Sequence, residues 1–86
     1  MLVNDLVRAM ERLAPPQCAE EWDRVGLLVG HRSREVRGPV LLTIDLTERV
    51  LDEALALRAG AVVAYHPPLW DPITRLTDET SRARIV

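Results

Sequence analysis

His66 is the side chain in this sequence best placed to do chemistry. It follows the short apolar run Ala61-Val62-Val63-Ala64-Tyr65 and precedes Pro67-Pro68. The pattern predicts a buried strand ending in a rigid loop, with His66 extended because a following proline disfavours the helical region. Ligands of open α/β sheets bind just outside the carboxyl ends of parallel strands. A neutral imidazole is also the commonest metal-binding side chain. The same residue serves equally well as an acid or base, or as a plain hydrogen-bonding loop residue. One His does not make a metal site, which takes three or four ligands. Asp45, at the end of another apolar run, is a second contributor. Its more ordinary role is to accept hydrogen bonds from the start of the helix that follows it, at 47–49. Tyr65 either turns its hydroxyl to the same edge or fills the rim of the core.

The remaining reactive residue types carry less. His31 follows Gly30 in a polar stretch and reads as solvated surface. Cys18 is the single cysteine, so neither an internal disulfide nor a CxxC zinc site is available within these residues. Glu20 and Glu21 disfavour a thiolate nearby, so Cys18 reads as structural rather than nucleophilic. Gly26-Leu27-Leu28-Val29-Gly30 is not the glycine fingerprint that cradles phosphate at the start of a helix. There is no GxSxG elbow and no HExxH helix.

The elements that must position His66 and Asp45 follow from the hydrophobic pattern. Residues 4–14 predict a helix, with Asn4 as its cap, Leu6, Val7, Met10 and Leu13 on one face, and Pro15-Pro16 as its stop. A loop through Gln17 and Cys18 leads to Glu21-Trp22-Asp23-Arg24, where Trp22 reads as an anchor onto the core. Residues 25–29 predict a strand ended by Gly30. Residues 31–39 are turn-like and close on Gly38-Pro39.

Val40-Leu41-Leu42-Thr43-Ile44 predicts a second strand. Thr47 caps a helix over about 48–59, with Glu48 at its positive end and a Leu46–Leu51 staple. Val50, Leu51, Ala54, Leu55 and Ala59 form its buried stripe, and Arg49 and Glu53 are spaced to pair outside it. Gly60 reads as its C′ residue. With strand 61–65 this is a βαβ crossover, which is right-handed and makes the two strands parallel. Asp45 and His66 then fall on one sheet edge. Asp78-Glu79-Thr80, with Thr77 or Asp78 as cap, predicts a last helix running to Val86.

Composition bounds the rest. The chain has 86 residues, 48% of them hydrophobic, and a net charge of −2. That is one small α/β domain at most, burying only roughly 60–65% of its unfolded surface. No apolar run is long enough to span a membrane, and the start lacks a signal-peptide pattern, so the expected location is the cytoplasm. The basic residues number 11, all Arg, and intermix with 13 acidic ones without forming a basic stripe. This argues against nucleic acid as the main partner. Without Lys, Schiff-base chemistry and the P-loop lysine are excluded within the segment. A parallel sheet needs helices over both faces, more than this segment supplies. The expectation is therefore the N-terminal part of a larger α/β protein, or a core completed by a partner chain.

Three stretches carry a resemblance. They are Leu13-Ala14-Pro15 with Ala19-Glu20-Glu21-Trp22-Asp23-Arg24-Val25-Gly26-Leu27-Leu28-Val29-Gly30, then Thr43-Ile44-Asp45-Leu46-Thr47 with Glu48, Val50, Asp52, Glu53 and Ala54, and Tyr65-His66-Pro67-Pro68-Leu69-Trp70. In order and spacing the chain resembles the type 2 GTP cyclohydrolase 1 family, the NIF-three-like or dinuclear metal centre proteins. The resemblance implies an α/β fold with a mixed or parallel sheet and flanking helices, and assembly as a homohexamer. It also implies two divalent metal ions held by a His-His pair and by an Asp, a His and a Glu further along the chain. On that pattern His66 matches the second His and Tyr65 stands at the first. Tyr-His-Pro-Pro resembles the form typical of eukaryotic members. A phenol ligates poorly unless deprotonated, and phenols ordinarily titrate near pH 10. Two functions are implied: a metal-dependent hydrolase acting on a nucleotide-like small molecule, or a non-catalytic oligomeric scaffold that binds regulatory proteins.

Overall fold

The computed structural model describes residues 1–15, 17, 25–69, 71 and 73–86. Pro16, Cys18, the Trp22 anchor and Trp70 lie outside the described residues. Five elements follow one another: α1 (Val3–Leu13), β1 (Val40–Asp45), α2 (Glu48–Ala56), β2 (Ala61–His66) and α3 (Ser81–Ile85). No helix among the described residues is long and apolar enough to cross a membrane.

β1 and β2 pair in parallel, as the crossover pattern predicts, with Val40 opposite Ala61 and Asp45 opposite His66. Side chains alternate across a strand. Val40, Leu42 and Ile44 therefore share a face with Ala61, Val63 and Tyr65. Leu41, Thr43 and Asp45 share the other face with Val62, Ala64 and His66. Burial follows this division only in part, since Val40, Ala61 and Val63 on the first face are half-buried too. Leu41, Thr43, Val62 and Ala64 are half-buried, and α2 packs against β1. On the first face Leu42, Ile44 and Tyr65 are 72%, 65% and 81% exposed. The segment thus covers one side of its sheet and leaves apolar side chains open on the other. Among the described residues only Val7 and Ala54 are buried hydrophobics.

α1 starts one residue earlier than its sequence suggests. Its N-cap is Leu2, not Asn4. Leu2 has no side-chain acceptor, and Asp5 reaches back to accept from the Leu2 N–H at 2.8 Å, one half of a capping box. The first orphan amides of the helix find backbone carbonyls instead of a side chain. Val3 N–H donates to Arg34 at 2.8 Å and Asn4 N–H to Arg32 at 2.9 Å. Asn4 is spent elsewhere: its Oδ1 accepts from Arg32 Nη1 at 3.1 Å.

The strand expected at 25–29 does not form. Gly26 and Gly30 have φ of +96° and +132°, a backbone that strands do not use. Val25 and Val29 are exposed, and no ladder partner lies beside them among the described residues. An apolar run of five becomes a strand only where another strand offers its edge.

α2 begins as its sequence predicts, with Thr47 Oγ1 accepting from the Val50 N–H at 3.2 Å. Its end differs. The helix stops at Ala56, and Arg58, not Gly60, takes the left-handed conformation at φ 53°. Ala59 N–H donates to Ala54 at 2.9 Å and Arg58 N–H to Leu55 at 3.1 Å, the paired bonds of a Schellman motif. Gly60 serves close packing instead. A Cβ there would lie 2.7 Å from the Arg37 carbonyl oxygen, and its N–H donates to Pro39 at 2.8 Å. In the stripe, Ala54 is buried and Val50 and Leu51 are half-buried, whereas Leu55 is exposed. In a helix this short the covered stripe is narrower than the sequence pattern. Arg49 and Glu53 form no ion pair; among the described residues Arg84 pairs with Glu48.

α3 starts at Ser81 with Thr80 as its cap, accepting from Ala83 N–H at 3.1 Å. Neither Asp78 nor Thr77 caps it. Thr77 Oγ1 accepts from the Glu79 N–H at 3.3 Å, which closes a separate turn and delays the helix. Arg84 ties α3 down: its Nε donates to Glu48 at the start of α2, and its Nη1 donates to the Asp78 carbonyl at 2.6 Å. The Arg84 guanidinium, and after it the Ser81 hydroxyl, hold the Glu48 carboxyl below its ordinary range.

Candidate functional site

The carboxyl edge of the sheet gathers two groups. Asp45 ends β1 and His66 ends β2, they are partners in the register, and they share a face. Their side chains meet, with His66 Nδ1 2.8 Å from Asp45 Oδ1. The backbone imposes this closeness. Parallel pairing sets the two Cα atoms opposite one another, and alternation sends both side chains to the same side. Beyond β1 the chain turns through Leu46 and Thr47 into α2, and beyond β2 it enters Pro67-Pro68. The proline after His66 keeps that residue extended.

The ordinary role for Asp45, accepting from the first turn of α2, falls to Thr47. The Asp45 carbonyl accepts from Thr43 Oγ1 at 2.9 Å, and the carboxylate is left for the imidazole. His66 and Asp45 are 54% and 65% exposed, so their contact adds little to stability. Its content is geometric. A carboxylate accepts and does not donate, so it selects which nitrogen of the ring carries the proton. Among the described residues Nε2 has no hydrogen-bond partner.

Tyr65 falls on the opposite face. Its ring centroid lies 5.1 Å from that of His66, with the planes tilted by 59°. The two rings come together at the end of the strand. His31, expected on the surface, is exposed. Its carbonyl accepts from Arg34 N–H at 3.1 Å, and it does not join the pair. Among the described residues no cluster of three or more His, Cys, Asp or Glu side chains forms that would hold a metal ion. The segment therefore offers an imidazole already oriented by a carboxylate, which fits one ligand of a metal site together with its outer hydrogen bond. Two shallow concavities lie elsewhere, one beside Arg8, Glu11, Arg12, Pro15 and Gln17, the other beside Arg34, Glu35, Arg37 and Gly60.

The contacts that the sequence does not disclose are long-range ones. Arg84 and Glu48 are 36 positions apart, and Asn4 and Arg32 are 28 apart. No local spacing rule connects such pairs. The Asp45–His66 meeting was accessible, because a parallel crossover with strands of equal length aligns their last residues.

Comparison with known proteins agrees with this architecture. The sequence profile of the Duf34/NIF3 (NGG1p interacting factor 3) family matches residues 1–86. NIF3-like protein 1 of Drosophila melanogaster is 44% identical over 82 residues, covering 94% of this chain and 28% of that protein. A GTP cyclohydrolase 1 type 2 homolog of Listeria innocua is 38% identical over 77 residues, covering 90% of this chain and 20% of that protein. The crystal structure of the Staphylococcus aureus hypothetical protein SA1388 superposes with a TM-score of 0.90 at 33% identity, covering 99% of this chain and 24% of that one. The chain thus spans about a quarter of the length of the relatives it matches.

Proposed function

This chain belongs to the Duf34/NIF3 family, and from that premise we propose that it supplies one ligand, His66, to a divalent-metal centre in a hydrolase acting on a nucleotide-like small molecule. The observation that carries the reading is the His66–Asp45 pair at the carboxyl edge of the sheet. A solvent-facing imidazole anchored through Nδ1 has the form of a metal ligand backed by an outer carboxylate. A bound divalent ion supplies Lewis acidity for hydrolysis. The chain's own residues do the rest at this edge: Asp45 orients the ring, and the extended backbone before Pro67 aims it outward. The names of relatives, GTP cyclohydrolase 1 type 2 homolog among them, support a nucleotide-like substrate class. The metal's other ligands, one ion or two, come from outside residues 1–86. Assembly as a cytoplasmic homohexamer belongs to the same proposal. The open apolar face bearing Leu42, Ile44 and Tyr65 supports burial against further protein.

Metal analysis of the full-length protein tests the reading. Bound zinc, manganese or iron in wild type, lost in His66→Ala, is the expected result. Wild-type protein that stays metal-free after incubation with each ion would remove the hydrolase reading and leave the non-catalytic scaffold.

A further inference from the structure

We infer that Asp45 is a positioning residue that fixes His66 as its Nδ1–H tautomer, so that Nε2 is the atom His66 offers to whatever binds the sheet edge. The inference starts from the 2.8 Å contact between His66 Nδ1 and Asp45 Oδ1. A neutral imidazole carries one N–H, and a carboxylate accepts only. With the carboxylate at Nδ1, the proton sits on Nδ1 and the lone pair is on Nε2. The backbone holds the arrangement at both ends. Asp45 and His66 are register partners on one face of the sheet, and Pro67 restricts His66 to extended conformations.

Other roles for Asp45 are already filled. Thr47 caps α2, and among the described residues the imidazole is the side chain that meets the carboxylate. An exposed pair of this kind contributes little to stability, so orientation is what the contact provides. The sequence YHPP places the ring at the edge; the Asp on the neighbouring strand decides which nitrogen faces out. Use of Nε2 toward a metal rests on the proposal above, whereas the tautomer does not.

The two are separable by experiment on the full-length protein. Long-range 1H–15N NMR of the metal-free protein, at about pH 8.5 and so above the ordinary imidazole pKa of about 6.5, reads the tautomer directly. Wild type is expected to show His66 with a protonated Nδ1 and an unprotonated Nε2. Asp45→Ala is expected to release the ring to a mixture in which Nε2–H gains. Asp45→Asn, whose amide can turn its NH2 group to Nδ1 and donate, is expected to admit the Nε2–H tautomer as well. A wild-type His66 with Nε2–H dominant, or an unchanged tautomer in Asp45→Ala, would overturn the inference. Titration with Zn2+ alone supplies the second readout. Asp45→Ala is expected to weaken binding by about 10–100-fold, as loss of an outer hydrogen bond does. Wild type that shows the Nδ1–H tautomer but binds no Zn2+ would uphold the positioning role and overturn the metal reading.

Discussion

Tyr65 and His66 are consecutive residues whose side chains leave opposite faces of the same strand, their ring centroids 5.1 Å apart and their planes tilted by 59°. Adjacency in the sequence suggests a pair of ligands; the pleat starts the two side chains on opposite faces, and the rings turn back toward each other at the end of the strand. Tyr65 belongs with Leu42 and Ile44 on the open apolar face, and His66 belongs with Asp45.

The first prediction concerns Tyr65. Tyr65→Phe in the full-length protein is expected to leave metal content close to wild type, because a phenol ligates poorly unless deprotonated. Elemental analysis beside His66→Ala checks it. A fall as large as that of His66→Ala would show that Tyr65 ligates as tyrosinate.

A second prediction follows from the tie between α2 and α3. Arg84, and then Ser81, lower the Glu48 pKa in the folded protein. A carboxylate with a depressed folded pKa stabilises above its unfolded value, and the effect is lost as pH falls through the folded one. The docking of α3 on α2 is therefore expected to be fully present at neutral pH and to loosen only as pH falls below the ordinary glutamate range. Glu48→Gln should show the loosened state at every pH. The Arg84 Nε–H resonance and amide exchange in α3 report it; protection that does not change on acidification would contradict the assignment.

Gly60 carries a third. Alanine there puts a Cβ 2.7 Å from the Arg37 carbonyl oxygen, closer than a carbon and an oxygen pack. Gly60→Ala is expected to destabilise the protein by about 1–3 kcal/mol, the range for overpacking a tight contact. The denaturation midpoint of the full-length protein measures it. A neutral result would mean that the 37–39 loop yields easily.

A fourth concerns the start of α2. Thr47→Ala removes the acceptor for the Val50 N–H and is expected to cost about 1 kcal/mol. His66 should keep its tautomer, since Asp45 and not Thr47 holds the ring. A tautomer change in Thr47→Ala, seen by the same NMR measurement, would show that the cap and the site are coupled.

Much of this arrangement was legible before the structure, for identifiable reasons. The unit from Val40 to His66 is local. Its two apolar runs, the Thr47 cap and the helical stripe each specify a neighbour a few residues away, and parallel pairing then sets Asp45 opposite His66. What was misread depended on distant chain. The 25–29 run has the composition of a strand but lacks an edge to join. Asn4 resembles a cap, yet Arg32 and Arg34 bring carbonyls to the α1 amides and make a side-chain cap unnecessary. Gly60 looks like a helix terminator, and its absent side chain instead admits the backbone of Arg37. Arg58 in the left-handed region carries no compositional signal.

The 21-residue separation between Asp45 and His66 also bears on when the site forms. Closing a loop of that length costs modest chain entropy, and contacts of short sequence separation can assemble early in folding. The pair is therefore tied to one supersecondary unit, the β1–α2–β2 crossover. The crossover itself, rather than distant chain, sets the imidazole against its carboxylate.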